Sequence, residues 1–507
     1  MKYRVKDYED IRAWVDNMTE EELLTSVTCP NVSPERPDIY HGVSAIFFHT
    51  NKLMKAGMEK FSEDEKKPLI VADMEGKFVS MRACANSGDD TLAYEMGKYK
   101  AGEARIEGYH WGLGPCVDIT GNPDCPIVTN RTPGRTVEEN IRYGTQFILG
   151  MQEHGIIATA KHFPGDGYCA YDQHLTTTEN PLPFDEWMNT FGCSYKAFIE
   201  AGVKSIMPGH ISLPSYDDID EETGICRPAT LSKKLMTDLL KKELGFEGII
   251  ITDALNMGGF AGYINLYRGY AESLEAGADL LLFAHPDEIY MNEMHKLIEE
   301  GVLTIETLKN RAYRMWCFAK EHTEDAKYKE VDMNKEKMDD VAYRLAKSAP
   351  CIERNRRNVL PLKLNTQSKV LVNCIINPNE PHDVEREKRT ADKLTEKLKE
   401  KVGAVDVIDD AGPDEEVRMI RENNYDAVIC YVTTTPSYGT NSARLSGTIA
   451  RNMMGGWYRL GTPVVFITSV PGIKKEYESC MDALINTNGS GRDATIDTIL
   501  EMIMGSD

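Results

Sequence analysis

Two stretches of this chain place acid, base and cation types where they could act together. The first is ATAKHFPGDGYCAYDQHL at residues 158–175, which brings Lys161 and His162 to one end and Asp172-Gln173-His174 to the other. An Asp two residues before a His on a loop can hydrogen-bond one ring nitrogen and leave the other for proton transfer. That fixes the tautomer, raises basicity and suits general acid/base work near neutral pH. The second is GIIITDALNMGG at residues 248–259, in which Asp253 closes an apolar run. A carboxylate at a rigid strand end can be a nucleophile, a metal ligand or a structural acceptor. No further His, Asp or Glu stand at ligand spacing, so no metal or other cofactor is expected.

Short apolar runs separated by amphipathic stretches must position these groups. Candidate strands are 43–48, 69–72, 112–116, 156–160, 205–207, 248–252 and 279–283, with helical stretches at 92–107, 137–153, 184–200 and 233–244. Residues 10–24 have helical periodicity, with a capped start around Thr19. Continuously apolar strands between helices indicate a parallel sheet covered on both faces. Seven or eight such units in about 320 residues predict a (β/α)8 TIM-like barrel, with a doubly wound sheet as the alternative. Polar residues recur just after the strands: Asp73, Lys161 with His162, His210, and Asp253. Strand ends converge on one mouth in a barrel, so a single site is predicted.

A charged stretch follows at 321–340. Further strands at 369–376, 405–408, 427–432, 463–470 and 483–486 then predict a smaller three-layer α/β/α sandwich. The expected division is a barrel over 1–320, a linker over 321–365 and the sandwich over 366–507. Met454-Gly455-Gly456 and Gly489-Ser490-Gly491 lack the strand–turn–helix setting of a nucleotide fingerprint.

At 507 residues the chain exceeds one ordinary core. A net charge of −22 argues against nucleic acid and anionic membranes as partners. No apolar run is long enough to span a bilayer, and the charged N-terminus lacks the apolar core of a signal peptide. The 12 cysteines form no CxxC pair, which fits reduced thiols in a cytoplasmic protein. Cys169 lies in the first stretch, but no feature there would activate it.

Retaining glycoside hydrolysis needs a carboxylate nucleophile and a proton donor. Asp253 and an Asp-held histidine could supply both, with Lys161, Arg131 and Asp73 clamping sugar hydroxyls. A Schiff-base aldolase built on Lys161 and a non-catalytic sugar-binding protein are alternatives from other classes.

The first stretch resembles the KHFPG-x-G-x(4)-D-x-H signature of family 3 glycoside hydrolases, in their β-N-acetylglucosaminidase branch. GIIITDALNMG at 248–258 is similar to the family's nucleophile strand end, and Asp73-Met74-Glu75-Gly76 to its D-x-EGG. PIVTNRTPG at 126–134 is similar to its sugar-binding arginine segment, with Arg131 at the arginine's place. The resemblance runs from about residue 18 to the end and is closer in the first half. It implies Asp253 as nucleophile, Asp172 and His174 as the acid/base dyad, and Asp73, Arg131, Lys161 and His162 as substrate ligands. It also implies a retaining, exo-acting enzyme on small carbohydrates, with a phosphorylase or β-glucosidase of the same family as the near alternative. Three positions depart from the pattern: Asp166 stands where this branch commonly has histidine, Lys77 replaces a glycine, and Met81 replaces an arginine, with Arg82 adjacent.

Overall fold

The structure is a computed structural model. It describes residues 2–505 apart from 62–63, 65, 220, 222–223, 377–380, 410, 434–451, 453–454 and 471–478, and apart from the side chains of 381–383. Met454 of the Met454-Gly455-Gly456 stretch lies outside the described residues. The protein is an α/β chain of two compact units: Met1–Lys77, Ala93–Thr120 and Gly134–Asn334 make the first, and Phe78–Leu92, Gly121–Pro133 and Lys335–Asp507 the second.

The first unit is organised by parallel strands. Asn31–Val32, Ala45–Phe48, Leu69–Asp73, Trp111–Leu113, Ile157–Phe163, Ser205–Pro208 and Ile249–Ile250 lie side by side in that order. Thr28–Cys29 pairs in parallel with Leu281–Leu282, and an isolated parallel bridge joins Ile251 to Leu280. The strands are buried along nearly their whole length, as expected when helices cover a parallel sheet. Thr28 to Val32 was not anticipated as a strand. It is short and interrupted by Pro30, which lacks an N–H but accepts from Phe47 N through its carbonyl.

The strand expected at 156–160 continues to Phe163, so Lys161 and His162 lie within it rather than in the loop beyond. Its pairing with Ser205–Pro208 shifts register between Lys161 and Phe163, and the Lys161–His162 peptide is cis. The stretch read as one helix at 10–24 is two, Glu9–Asp16 and Glu20–Ser26; Thr19 and Glu22 form a capping box at the second. The helix read at 184–200 widens to a π-helix over Met188–Gly192, and the one read at 233–244 is π-helical over Lys234–Glu243. Periodicity reports which face is buried, and it does not separate these nearby helical pitches.

Asp279 ties the last strands together. Its carboxylate accepts from Ile250 N at 3.0 Å and Arg314 Nε at 2.9 Å, the latter on helix Ile305–His322. Thr252 N donates to Leu280 O and Leu282 N to Thr252 Oγ1, which fixes the chain immediately before Asp253.

The second unit holds a six-stranded mixed sheet in the order Cys351–Asn355, Ala483–Asn486, Val464–Thr468, Ala427–Thr433, Lys369–Ile376 and Ala404–Asp409. Only the first pairing is antiparallel. The strand period of two divides the interior. Val370, Val372, Ala427, Ile429 and Val465 join Leu394 and Ile499 in one core, whereas Leu371, Val428, Cys430 and Phe466 join Ile420 and Trp457 in another.

The units cut the chain differently from the division read in sequence. Within 321–365, Lys335–Ser348 is a helix and Cys351–Asn355 an edge strand of the second unit. The segment Phe78–Leu92 also groups with that unit, where Asn86 Nδ2 donates to Ala349 O at 3.0 Å and Arg344 pairs with Asp89 at 2.6 Å. Among the described residues, no helix is long and apolar enough to cross a membrane.

Candidate active site

The strand ends of the first unit bring most of the sequence-selected residues together. Asp73 is the last residue of its strand, with an exposed side chain. Lys161 is buried, and its Nζ lies 2.9 Å from Glu75 Oε1 and 3.5 Å from Asp73 Oδ1. The ammonium thus lies between two carboxylates, nearer Glu75 than the exposed Asp73.

His162 is held by Asp118, a fully buried residue that sequence reasoning passed over. Asp118 Oδ1 accepts from His162 N at 3.1 Å and from Asp166 N at 2.8 Å. Its Oδ2 lies 2.8 Å from His162 Nδ1 and accepts from Cys116 Sγ at 3.1 Å. A carboxylate only accepts, so His162 carries its proton on Nδ1 and turns Nε2 toward Asp253, 3.8 Å from Oδ2. Burial pushes the Asp118 carboxyl up, but the imidazole and these hydrogen bonds hold it below its ordinary value. Cys116, Asp118 and His162 are also a group whose potential ligand atoms lie within 4.8 Å of one another; the Cys116 thiol and the His162 ring already engage Asp118 Oδ2, and the main-chain N–H groups of His162 and Asp166 engage Oδ1. One sequence signal did mark Asp118: it stands just beyond the apolar run at 112–116, as Asp73 and Asp253 stand at the ends of theirs.

Asp253 comes after the short strand Ile249–Ile250 and is almost wholly buried. Its N–H donates to Pro208 O at 3.1 Å, and its own Oδ1 accepts from Ala254 N at 2.8 Å. Burial pushes its carboxyl up; His162, His210, His174 and Lys161 outweigh that and hold it below 3.8. His210 is buried beside it, and burial pushes its imidazole down against the pull of Asp253. Its Nε2 lies 3.0 Å from Ala254 O and its Nδ1 3.0 Å from Thr230 Oγ1, which fits a neutral ring donating to the carbonyl and accepting from the hydroxyl.

Asp172 and His174 are paired as the spacing predicted. Asp172 Oδ1 accepts from His174 N at 2.8 Å and lies 2.7 Å from His174 Nδ1. Asp172 is fully buried and the imidazole is partly exposed. Gly258 N donates to His174 O and Gly259 N to Gln173 O, so the dyad's loop is fastened to the turn just past Asp253. Glycine at 165 and 167 is required. Both have positive φ, and a Cβ would come within 2.1 Å of the Phe191 ring at 165 and 2.2 Å of Ile119 O at 167.

Arg131 is the remaining residue selected from the sequence. It belongs to Gly121–Pro133, which groups with the second unit, and its guanidinium donates to Ile127 O at 3.4 Å.

Residues 62–317 match the family described as Glycosyl hydrolase family 3 N terminal domain. A Cellulomonas fimi protein named β-N-acetylglucosaminidase/β-glucosidase is 36% identical over 216 residues, which are 42% of this chain and 38% of that protein. The chain thus spans well under half the length of that relative. A β-hexosaminidase of Vibrio cholerae is 29% identical over 268 residues, 49% of this chain and 76% of that protein. Among solved structures, a β-glucoside phosphorylase, BglX, superposes with a TM-score of 0.84 at 24% identity, covering 100% of this chain and 96% of its own. A β-N-acetylglucosaminidase from Paenibacillus sp. str. FPU-7 gives 0.77 at 20%, covering 96% and 97%. These two likenesses establish a shared fold. With the matched segment covering half of its length, the chain belongs to glycosyl hydrolase family 3.

Proposed function

We propose that this protein is a retaining, exo-acting β-N-acetylglucosaminidase that releases terminal β-linked N-acetylglucosamine from small glycosides. The observation that carries the reading is the buried Asp253 just past a strand end, with the Asp172–His174 pair on a loop fastened to the turn just beyond it. The names of the Cellulomonas and Vibrio relatives support the sugar. The parallel strands of the first unit are read as a closed (β/α)8 barrel, because the paired ends Thr28–Cys29 and Leu281–Leu282 and the Ile251–Leu280 bridge lie where the sheet would close. The second unit, with a core on each face of its sheet, is read as a three-layer sandwich.

In this mechanism Asp253 attacks the anomeric carbon as the glycosidic C–O bond breaks. His174 Nε2 gives its proton to the leaving oxygen. Water then attacks the glycosyl–Asp253 ester, His174 takes its proton, and the sugar leaves with retained configuration. Asp172 holds the ring and stabilises the imidazolium. Lys161 donates to sugar hydroxyls and Asp73 accepts from them, and His162 borders both Asp253 and the sugar. The motif resemblance adds Arg131 to the sugar ligands.

The test is a panel of aryl N-acetylglucosaminides, glucosides and xylosides, assayed with and without phosphate. The N-acetylglucosaminide should be turned over best, with free sugar as product in both buffers, and Asp253→Ala should lose about 10³-fold or more. A sugar 1-phosphate appearing in phosphate buffer would make the protein a phosphorylase. Near-wild-type turnover by Asp253→Ala would remove the mechanism.

A further inference from the structure

The loop carrying the proposed dyad is held from below by groups with no part in the proton transfer. Asp166 is buried; its N–H donates to Asp118, and its carboxylate accepts from Gly167 N at 2.6 Å and from Gln173 Nε2 at 3.4 Å. Gln173 is fully buried, and its Oε1 accepts from His210 N at 2.9 Å. A main-chain N–H can only donate, so the amide is oriented unambiguously, with Nε2 toward Asp166. The Gln173 side chain therefore runs beneath the loop from Asp166 to the chain at His210, while the main chain of Gln173 and His174 is fastened to Gly259 and Gly258.

We propose that Asp166 and Gln173 form a clasp that presets the Asp172–His174 pair over the site before substrate arrives. Both are positioning residues, and the assignment rests on the dyad reading of the proposed function. The physical reason is burial. Without the Asp166 carboxylate, the Gln173 amide keeps a buried N–H with a long-range acceptor lost, and its release costs less than leaving that donor unmet. Gln173 sits between Asp172 and His174 in the chain, so any turn of its backbone moves both. Because one oxygen of Asp172 accepts from both the main chain and the ring of His174, the two move as a unit. A displacement of about 1 Å is enough to cost about 10²-fold in a proton transfer.

The test compares dinitrophenyl and phenyl β-N-acetylglucosaminides on the full chain. The first leaving group departs without a proton and the second needs one. Asp166→Asn leaves one acceptor oxygen for two donors, Gly167 N and Gln173 Nε2, and should lower kcat/KM on the phenyl glycoside by about 10- to 100-fold, leaving the dinitrophenyl glycoside within about threefold. The alkaline limb of the pH profile should move with it. Gln173→Glu alone, which opposes two carboxylates, should show the same selectivity. The double variant Asp166→Asn/Gln173→Glu restores a donor facing a carboxylate and still offers an acceptor to His210 N. It should recover most of the phenyl activity. Equal losses on both substrates, or a double variant no better than the product of the singles, would overturn the clasp. His174→Ala separates the two ideas. If it is selective for the phenyl glycoside and Asp166→Asn is not, the clasp alone fails; if His174→Ala is itself unselective, the dyad reading fails and takes the clasp with it.

Discussion

Glu416, in the second unit, is a buried acid whose removal should reshape the protein's stability with pH. It lies on helix Pro413–Asn423 with no exposed surface. Its Oε1 accepts from Asn373 Nδ2 at 2.5 Å, while Asn373 Oδ1 has no hydrogen-bond partner among the described residues. Burial raises the Glu416 carboxyl from 4.5 to about 8, against a smaller opposing pull from Asn452 and Asn373. The folded chain thus holds a proton that the unfolded chain releases above 4.5. The associated stability is full below pH 4.5, declines as pH rises, and is gone above about 8. The interval between 4.5 and about 8 corresponds to about 5 kcal/mol as an upper order of magnitude. Glu416→Gln keeps the shape and never ionises. It should lie within about 1 kcal/mol of wild type at pH 4.5 and be more stable by a few kcal/mol, roughly 2 to 5, at pH 9. Calorimetry of the full chain between pH 4.5 and 9 is the assay, because two compact units make a single midpoint ambiguous. Parallel pH dependences for wild type and Glu416→Gln in the second unit's transition would refute the reasoning.

Two further outcomes are expected. Asp279→Ala leaves Arg314 and Arg311 facing an empty site between the last strands, and should cost about 3 to 5 kcal/mol in denaturant unfolding. Despite its burial, Arg314, Lys241 and Arg311 hold the Asp279 carboxyl well below 3.8, so its contribution is full above that value and is withdrawn as pH falls below it; an acid limb unchanged in Asp279→Asn would contradict this. Gly167→Ala drives a Cβ against Ile119 O at a φ of 104° and should destabilise by about 1 to 3 kcal/mol. It should also slow phenyl glycosides more than dinitrophenyl ones, and equal rates on both relative to wild type would show that the loop tolerates the shift.

Short-range pattern is legible in a sequence, and here it carried most of the strands. Continuous apolar runs marked them, because a strand buried on both faces has no polar alternation to hide it. The Asp172–His174 pair was legible because two residues on a loop suffice for the contact. Asp253 was legible because it closes an apolar run inside a stretch similar to the family's nucleophile strand end. The partners were not legible. His162 and Asp118 are 44 residues apart, and Gln173 and His210 are 37 apart, joined only by strands lying side by side. Asp166 had no role in the sequence, and in the fold it bonds Asp118, Gly167 and Gln173. The grouping of Phe78–Leu92 with Lys335–Ser348 was invisible for the same reason, since no local period records which distant surface a segment covers. Residue type and spacing therefore determined which side chains could do chemistry. Tertiary structure decided which carboxylates are neutralised, which histidine nitrogen bears the proton, and which groups hold the dyad, because those depend on charge and burial brought from elsewhere in the chain.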